Sequence, residues 1–265
     1  MAIFKKIKFS WSTDSKITTK ILLTILMPTY VLFHVLRLKK LKMLFGGIKF
    51  ITKVDNIIFH HTVEQFTNIY EMWMISPDDL FKSKMNEEAI DLGAHIGCYG
   101  LKLSKETGSK VYAVEADTKN YETLCQNIKA NHLENKVIPV HCAITDKSGE
   151  LKLYNASITS GSSLFQGDSG HSEIVQSKTL KQLIDEYKIK PSLIKIDIEG
   201  CEESVLVNSI NLLKKIKPKL IIEIHPPYSN ANKIKELLIK NNYQYFEYTA
   251  FQYRGKGFPP IIYAY

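Results

Sequence analysis

Short apolar runs alternate with longer segments of helical periodicity from residue 87 to the end of the chain. Strands separated by helices of about 10–15 residues pair in parallel through right-handed crossovers. The last two apolar runs, 243–248 and 260–265, have no helix between them, so we expect them to pair antiparallel at one sheet edge. The sequence therefore predicts an α/β fold: a doubly wound, mostly parallel seven-stranded sheet of Rossmann-like type with a C-terminal antiparallel hairpin.

The segment boundaries follow from periodicity and from turn residues. The expected strands of the main region are 89–92, 110–115, 137–143, 150–155, 193–198 and 220–224. The expected helices are 97–107, 118–132, with Thr118 as N-cap, 178–187, 202–216 and 230–241. Upstream, the expected elements are strands 47–54 and 56–60 and a helix over 62–75.

We expect the chain to divide into three regions. Residues 1–45 form a basic and apolar amino-terminal segment, residues 46–86 supply strands and a helix that pack on the core, and residues 87–265 form the main domain. The four cysteines, in 265 residues, show neither a CxxC pair nor zinc-ligand spacing. Reduced thiols and a cytoplasmic location are therefore expected.

Positive charge is concentrated at the amino end of the chain. Residues 1–60 carry 11 Lys and Arg against 2 Asp and Glu, whereas the net charge of the whole chain is +8. The remaining residues are thus close to neutral, which argues against a nucleic-acid partner. The run from Ile21 to Leu36 contains no charged residue and holds Pro28. It predicts either a helix lying on an anionic membrane surface, at its cytoplasmic face, or a helix packed on the body; a spanning helix is the weakest alternative.

The first strand of the main region runs into a glycine-containing turn, Asp91-Leu-Gly93-Ala-His95-Ile-Gly97. The spacing is neither the GxGxxG of dinucleotide binders nor a P-loop. The next strand ends at Glu115, where a carboxylate is placed to accept ribose hydroxyls, and Asp117 follows it toward a base. Together these features predict an adenosyl ligand that carries an amino acid, with Asp91 facing its ammonium and the glycine turn its carboxylate. The alternative is a turn glycine and a solvated acid without a ligand.

Acidic residues also mark the ends of two later strands. Asp197 and Glu199 are spaced i, i+2 after one strand, and Glu223 and His225 repeat that spacing after the next. Such a cluster can deprotonate an acceptor hydroxyl, with Asp197, Glu199 and His225 as the catalytic candidates. Asp197 and Glu223 are the candidate ligands if Mg²⁺ is present. The alternative is that Asp197 and Glu199 cap the helix that begins near residue 202.

The motifs DLGAHIG, VEAD, NIKAN, KIDIEGCE and EIHP occur in this order between about residues 60 and 250. In this respect the chain resembles the FkbM-type branch of class I S-adenosylmethionine-dependent methyltransferases. The resemblance implies S-adenosyl-L-methionine as cofactor and O-methylation of a sugar or another small hydroxylated metabolite. It assigns Asp91, Gly93, His95, Gly97, Glu115, Asp117 and Ala143 to the cofactor site, with His95 standing where the family usually has Asn.

The acceptor itself is expected to be a small molecule, a glycan or a lipid-linked glycan. The polar segment 155–177 is interpreted as an acceptor-binding loop. Two other functions stay open: a nucleic-acid or protein methyltransferase, and a scaffold that binds the cofactor without catalysis. The pattern DIEG after the fourth strand, instead of the Pro-Pro motif of amino-methylating DNA enzymes, argues against the first of these.

Overall fold

A computed structural model describes residues 2–36, 38–74, 84–154, 172–248 and 260–265. The helices are α1 Ala2–Ser12, α2 Ile17–Val35, α3 Lys39–Gly46, α4 Phe66–Met74, α5 Cys98–Thr107, α6 Thr118–Ala130, α7 Leu180–Tyr187, α8 Glu202–Ile216 and α9 Ala231–Lys240. The strands are β1 Lys49–Val54, β2 Ile57–Thr62, β3 Glu88–Leu92, β4 Lys110–Glu115, β5 Val137–His141, β6 Ala143–Ile144, β7 Gly149–Tyr154, β8 Ser172–Lys178, β9 Pro191–Ile196, β10 Lys219–Glu223, β11 Tyr245–Tyr248 and β12 Ile261–Ala264.

The central sheet has seven strands in the order β11-β12-β10-β9-β3-β4-β5. Neighbouring strands from β10 to β5 are parallel, whereas β12 lies antiparallel to both β10 and β11. The predicted α/β fold and its C-terminal hairpin are therefore confirmed. The chain reverses its direction of winding at β3, which lies between β4 and β9, and this is where ligands bind in sheets of this type.

The register of four central strands brings their carboxyl ends to one level. Leu92 of β3 pairs with Val114 of β4 and with Ile196 of β9, and Ile196 pairs with Ile222 of β10. The next residue after each of these is, respectively, Gly93, Glu115, Asp197 and Glu223. Apolar side chains on both faces of the sheet are buried in two large clusters, as expected for parallel strands covered by helices on both sides.

A second, three-stranded sheet has the order β6-β8-β7. The expected strand 137–143 is too long, because β5 ends at His141 and Ala143 begins β6 in this second sheet. The expected loop 155–177 is also wrong at its end, since 172–178 is the strand β8; residues 155–171 lie outside the described ranges. Ala143, Leu153 and Val175 form the small core of this sheet. The alternation in β8 is hard to recognise in the sequence because Ser177 occupies an inward position.

Two smaller boundaries also differ from expectation. The helix α4 begins at Phe66 and not at residue 62, because His61 and Thr62 continue the pairing of β2 with β1. The N-cap of α6 is Asp117 and not Thr118: Asp117 Oδ1 accepts hydrogen bonds of 3.0 Å from the backbone N–H groups of Lys119 and Asn120. A carboxylate in this position stabilises the helix, because its negative charge lies at the positive amino end of the helix dipole.

The helices α1 and α2 pack on the body of the protein. Leu23 and Met27 of α2 are buried in the same core cluster as Phe9 of α1. The Asp14 N–H also donates to the Lys53 carbonyl at 2.8 Å, which ties the connection between the two helices to β1. No helix within the described residues has the length and apolarity needed to cross a membrane. Of the alternatives for this segment, the structure shows a helix packed on the body through the side of α2 that carries Leu23 and Met27.

The shared core can be tested with two phenylalanines of α1. Phe9 is 6% exposed and packs against Phe66 and Tyr70, whereas Phe4 is 74% exposed. Phe9→Ala is expected to lower the free energy of unfolding by about 3 kcal/mol, because it leaves a cavity in the core. Phe4→Ala should change it by less than about 0.5 kcal/mol. Urea unfolding measures both, and equal effects would contradict a core shared with α1.

Candidate functional site

The turn after β3 brings two strand ends into direct contact. Gly93 has φ of 79°, and a Cβ atom built there would lie 1.8 Å from the backbone oxygen of Asp197. The N–H groups of Gly93 and Ala94 both donate to the Val114 carbonyl, at 3.0 and 2.9 Å. In return, the Asp197 N–H donates to the Leu92 carbonyl at 3.0 Å. The backbones of residues 93 and 197 are therefore too close to admit a side chain at residue 93, and glycine is required there.

Helix α5 begins directly beyond this turn with its amino end open. Its N-cap residue is Gly97, which has φ of 90° and makes no side-chain capping bond. The first N–H groups of a helix can bind a carboxylate or a phosphate when no side chain caps them. Asp91 is fully buried below this end of α5, with Oδ2 3.4 Å from the position that a Cβ of Gly100 would take. The predicted association of Asp91, Gly93 and Gly97 in one turn is thus present.

Glu115 organises the loop that carries His95. Its Oε2 accepts the His95 N–H at 2.8 Å, and its Oε1 accepts the Asp117 N–H at 2.8 Å. Burial raises the pKa of Glu115 to about 7, although these two hydrogen bonds act in the opposite direction. The carboxyl group is thus held in one orientation between the turn after β3 and the start of α6.

His95 lies between the two groups of acidic residues. Its backbone is left-handed, with φ of 52°, and neither of its buried ring nitrogens has a hydrogen-bond partner among the described residues. Burial lowers the pKa of His95 to about 4, while the charges of Asp117 and Asp197 act to raise it. The imidazole is therefore neutral at neutral pH and offers one donor and one acceptor to a ligand. Buried polar atoms without partners are costly, so a ligand at this position would stabilise them.

Ala143 is the first residue of β6 in the second sheet. It is buried in the small core of the second sheet, where Ala116 packs against the same cluster. This places the predicted cofactor-site residue next to the loop after β4. Because the side chain of Ala143 is small, the loop after β4 can lie close to the second sheet.

The ends of β9 and β10 form a compact cluster of ionisable groups. Lys195 Nζ lies 2.6 Å from Asp197 Oδ2. His225 Nε2 lies 3.8 Å from Asp197 Oδ1 and 3.6 Å from Glu199 Oε2. Glu199 has a left-handed backbone with φ of 53°, which turns its side chain toward His225. The predicted catalytic residues Asp197, Glu199 and His225 are therefore neighbours in the structure.

Glu202 completes this cluster, and the sequence analysis did not identify it. Its Oε1 lies 2.9 Å from His225 Nδ1 and accepts the backbone N–H groups of Gly200 and Ile198 at 3.0 and 3.2 Å. Its Oε2 accepts the Ser229 hydroxyl at 2.5 Å. Glu202 is fully buried, so its many partners are needed to stabilise its charge. The only sequence signal was an acid in the first turn of α8, which is also what ordinary helix capping produces.

Capping of α8 does not explain Asp197 and Glu199. The N-cap of α8 is Cys201, whose own side chain makes no capping hydrogen bond, and the Glu203 N–H donates to the Ser229 hydroxyl at 3.3 Å. The acids in the first turn of this helix are Glu202 and Glu203. Asp197 and Glu199 therefore do not cap α8, and their side chains lie in the cluster around His225.

The cluster shifts the pKa values of its members in opposite directions. Burial alone would lower the pKa of His225, but the hydrogen bond with Glu202 and the charges of Asp197 and Glu199 outweigh it and raise the pKa to about 10. Burial raises the pKa of Glu199 to about 8, against the influence of His225. The pKa of Glu202 is lowered, because its hydrogen bonds overcome the effect of burial. At neutral pH the imidazole is therefore charged, and Glu199 is the carboxyl group that holds a proton.

Three of the predicted residues also approach the geometry of a metal site. One atom each of Asp197, Glu223 and His225 lies within 4.8 Å of the others. The donor set does not fit Mg²⁺, because that ion prefers octahedral oxygen ligands and one of the three donors is an imidazole nitrogen. Asp197 also already contacts the Lys195 ammonium group. We therefore assign no step of chemistry to a metal at this position.

The order of strands and the loops that meet at the winding reversal define the fold of class I S-adenosylmethionine-dependent methyltransferases. A solved FkbM methyltransferase from Methylobacillus flagellatus shares this fold, with a TM-score of 0.53 and 20% sequence identity over 73% of this chain and 47% of that chain. Residues 91–245 match the family described as the methyltransferase FkbM domain. The chain belongs to this family, as the motifs in its sequence predict.

Two curated proteins show similarity over part of their length. The hexuronic acid methyltransferase AglP of Haloferax volcanii is 26% identical over 136 residues, which cover 51% of this chain and 54% of AglP. A tRNA(Phe) (4-demethylwyosine(37)-C(7)) aminocarboxypropyltransferase of Methanocaldococcus jannaschii is 44% identical over 61 residues, or 23% of this chain and 24% of that protein. The chain thus spans about half of the first relative and a quarter of the second.

The contact between Gly93 and Asp197 can be tested against a second glycine with a positive φ. Gly149 has φ of 145°, and a Cβ atom there would meet nothing within 4 Å. Gly93→Ala should lower the free energy of unfolding by at least about 2 kcal/mol more than Gly149→Ala, since only the first variant forces backbone atoms apart. Urea unfolding of both variants measures this difference. Similar losses would show that backbone strain alone accounts for Gly93.

Proposed function

We propose that this protein transfers a methyl group from S-adenosyl-L-methionine to a hydroxyl oxygen of a sugar or another small hydroxylated metabolite. The observation that carries the proposal is the contact between the turn after β3 and the end of β9. In this contact the glycine turn, which we propose to bind the cofactor, lies directly against the strand end that carries Asp197. Residues 87–265 are the catalytic domain in this proposal, and α1, α2 and α4 contribute side chains to a core cluster that they share with it.

The residues around the turn suit the cofactor. The open amino end of α5 with Gly97 and the close backbone at Gly93 are suited to its carboxylate, and Asp91 supplies negative charge for its ammonium. Glu115 is oriented to accept ribose hydroxyls, and Asp117 lies on the same side. The buried ring of His95 supplies one donor and one acceptor at the junction with Asp197. When bound there, S-adenosyl-L-methionine supplies a methyl group that its sulfonium has already activated.

Glu199 is the group that removes the acceptor proton in this proposal. Its raised pKa of about 8 makes it a stronger base than an ordinary carboxylate once it is ionised. Its side chain is 31% exposed, so an acceptor hydroxyl can approach it. The neighbouring imidazolium of His225 stabilises the ionised carboxylate and limits the rise in the pKa of Glu199 that burial causes.

Asp197, Lys195 and Glu202 have supporting roles. The Lys195 ammonium holds Asp197 in place, so Asp197 serves better to orient an acceptor hydroxyl than to take its proton. Glu202 fixes the ring of His225 through Nδ1 and so determines where Nε2 points. Alignment of the acceptor oxygen also accelerates the reaction. In well-oriented systems, alignment lowers the activation free energy by about 7–11 kcal/mol.

The choice of a sugar acceptor rests on the similarity to the hexuronic acid methyltransferase. The match to the tRNA-modifying enzyme covers only 23% of this chain, which is too little to favour a nucleic-acid substrate. The near neutrality of residues 61–265 argues in the same direction, because nucleic acid is bound by positively charged surfaces. A scaffold without catalysis is disfavoured by the complete set of ionisable groups around His225.

Cofactor binding can be tested at Glu115. Glu115→Gln removes one of the two oxygens that accept backbone N–H groups, and S-adenosyl-L-methionine should bind about tenfold more weakly. Because the pKa of Glu115 is raised to about 7, binding to the natural protein should strengthen as pH rises through about 7 and the carboxylate forms. The variant should lose this dependence. Calorimetry at several pH values measures both effects, with the exposed Glu134→Gln as control; an unchanged affinity would contradict the role of Glu115.

Methyl transfer can be tested at Glu199. The protein is mixed with methyl-labelled cofactor and acceptors that contain hexuronic acid or neutral sugars, and label in the glycan fraction is counted. We expect kcat/KM to rise with pH up to a plateau above about 8, because the base must be ionised. Glu199→Gln should lower the rate by about 10²–10⁴-fold and abolish this rise, while cofactor binding persists.

The matched control for this experiment is Glu236→Gln, an exposed glutamate of α9 that is not a member of the cluster. It should behave as the natural protein does. Full activity of Glu199→Gln would remove Glu199 as the base. Label that enters nucleic acid or protein instead of glycan would overturn the substrate class and leave the transfer chemistry in place.

A further inference from the structure

One side of α2 exposes a continuous apolar face. Ile17, Ile21, Ile25 and Leu32 follow each other at helical spacing on this side, and each is between 45% and 58% exposed. Leu22 of α2 and Leu36, the residue directly after α2, have similar exposure. We call these six residues the apolar face of α2. Exposed apolar residues are ordinary when scattered, but a contiguous set of this size marks an interaction surface.

The part of the chain that the structure describes does not use the apolar face of α2 for packing. The opposite side of the helix already contributes Leu23 and Met27 to the core, where they are 1% and 4% exposed. The helix is therefore apolar on two sides, one against the body and one toward solvent. Such a pattern is more than a surface helix of a globular domain needs.

The amino-terminal segment that carries this face is positively charged. Lys5 and Lys8 of α1 and Lys16 in the connection to α2 are exposed. Asp14 is the only acidic residue among the first 54 residues of the sequence. Trp11 is 45% exposed, and its Nε1 donates to Thr24 of α2 at 2.9 Å, which holds the indole against the helix. Tryptophan with one polar and one apolar side is enriched where proteins meet the headgroup level of membranes.

We propose that the apolar face of α2 binds the surface of a bilayer that contains anionic lipids, with the helix lying in the plane of the interface. Apolar side chains enter the boundary between headgroups and acyl chains, and the lysines pair with anionic headgroups. The same positive charge opposes a second copy of the chain on this face, because two such segments repel each other. Binding at the surface needs no spanning helix, and it is independent of the methyl transfer proposed above.

The test uses the full chain and flotation with vesicles of equal parts phosphatidylglycerol and phosphatidylcholine. Truncation is unsuitable, because Phe9, Leu23 and Met27 belong to the core. We compare the natural protein with the double variant Ile25→Gln, Leu32→Gln, whose side chains are exposed and whose loss should leave the fold intact. The variant should bind at least about tenfold more weakly. The natural protein should bind pure phosphatidylcholine more weakly and should be released by salt.

Ile239→Gln is the matched control. Ile239 lies on α9, is 59% exposed and does not belong to the apolar face of α2. It should float as the natural protein does. The proposal is overturned if the natural protein fails to float, if the double variant floats equally well, or if the control loses binding as well. It is also overturned if light scattering shows a dimer that the double variant abolishes, because a second copy would then cover the face.

Discussion

The in-register pairing of β3 with β4 and β9 is the constraint on which the rest of the structure depends. Because Leu92 is level with Val114 and Ile196, the residues that follow are forced to meet at one edge of the sheet. The polar residues at this edge cannot separate without breaking the pairing of buried strands. A glycine at residue 93 is the condition for this approach, since any side chain would meet the backbone of the neighbouring strand end.

The buried charge at this edge is stabilised by hydrogen bonds within the protein. Glu202 is fully buried, and four hydrogen bonds surround it, one of them from His225. Removing one partner from such a group leaves a buried charge without compensation, which is far more damaging than the loss of a surface pair. The imidazole ring of His225 is therefore positioned by the buried Glu202. The partly exposed carboxylates of Asp197 and Glu199 contact this ring and so depend indirectly on Glu202.

The main sheet could be predicted because its strands are separated by helices with clear periodicity and because parallel strands read as apolar runs. The grouping of Asp197, Glu199 and His225 followed from the spacing at strand ends. The expected strand 150–155 is β7 of the second sheet, but β6 and β8 were missed, and β8 is hard to recognise since it places Ser177 inward and the apolar Ile174 outward. Glu202 was missed for a different reason: a buried acid that positions a histidine 23 residues later has the same local sequence as a helix cap. Long-range partners of this kind leave no local signal.

Glu199 and His95 both adopt left-handed backbones, which cost residues other than glycine about 1–2 kcal/mol each. A glycine at either position would relieve that cost. Selection for heat resistance alone would therefore favour removing the carboxylate and the imidazole that face the site. If the proposed function holds, stability and chemistry are opposed at these two residues, and variants that gain melting temperature there are the ones in which the proposed methyl transfer is lost first.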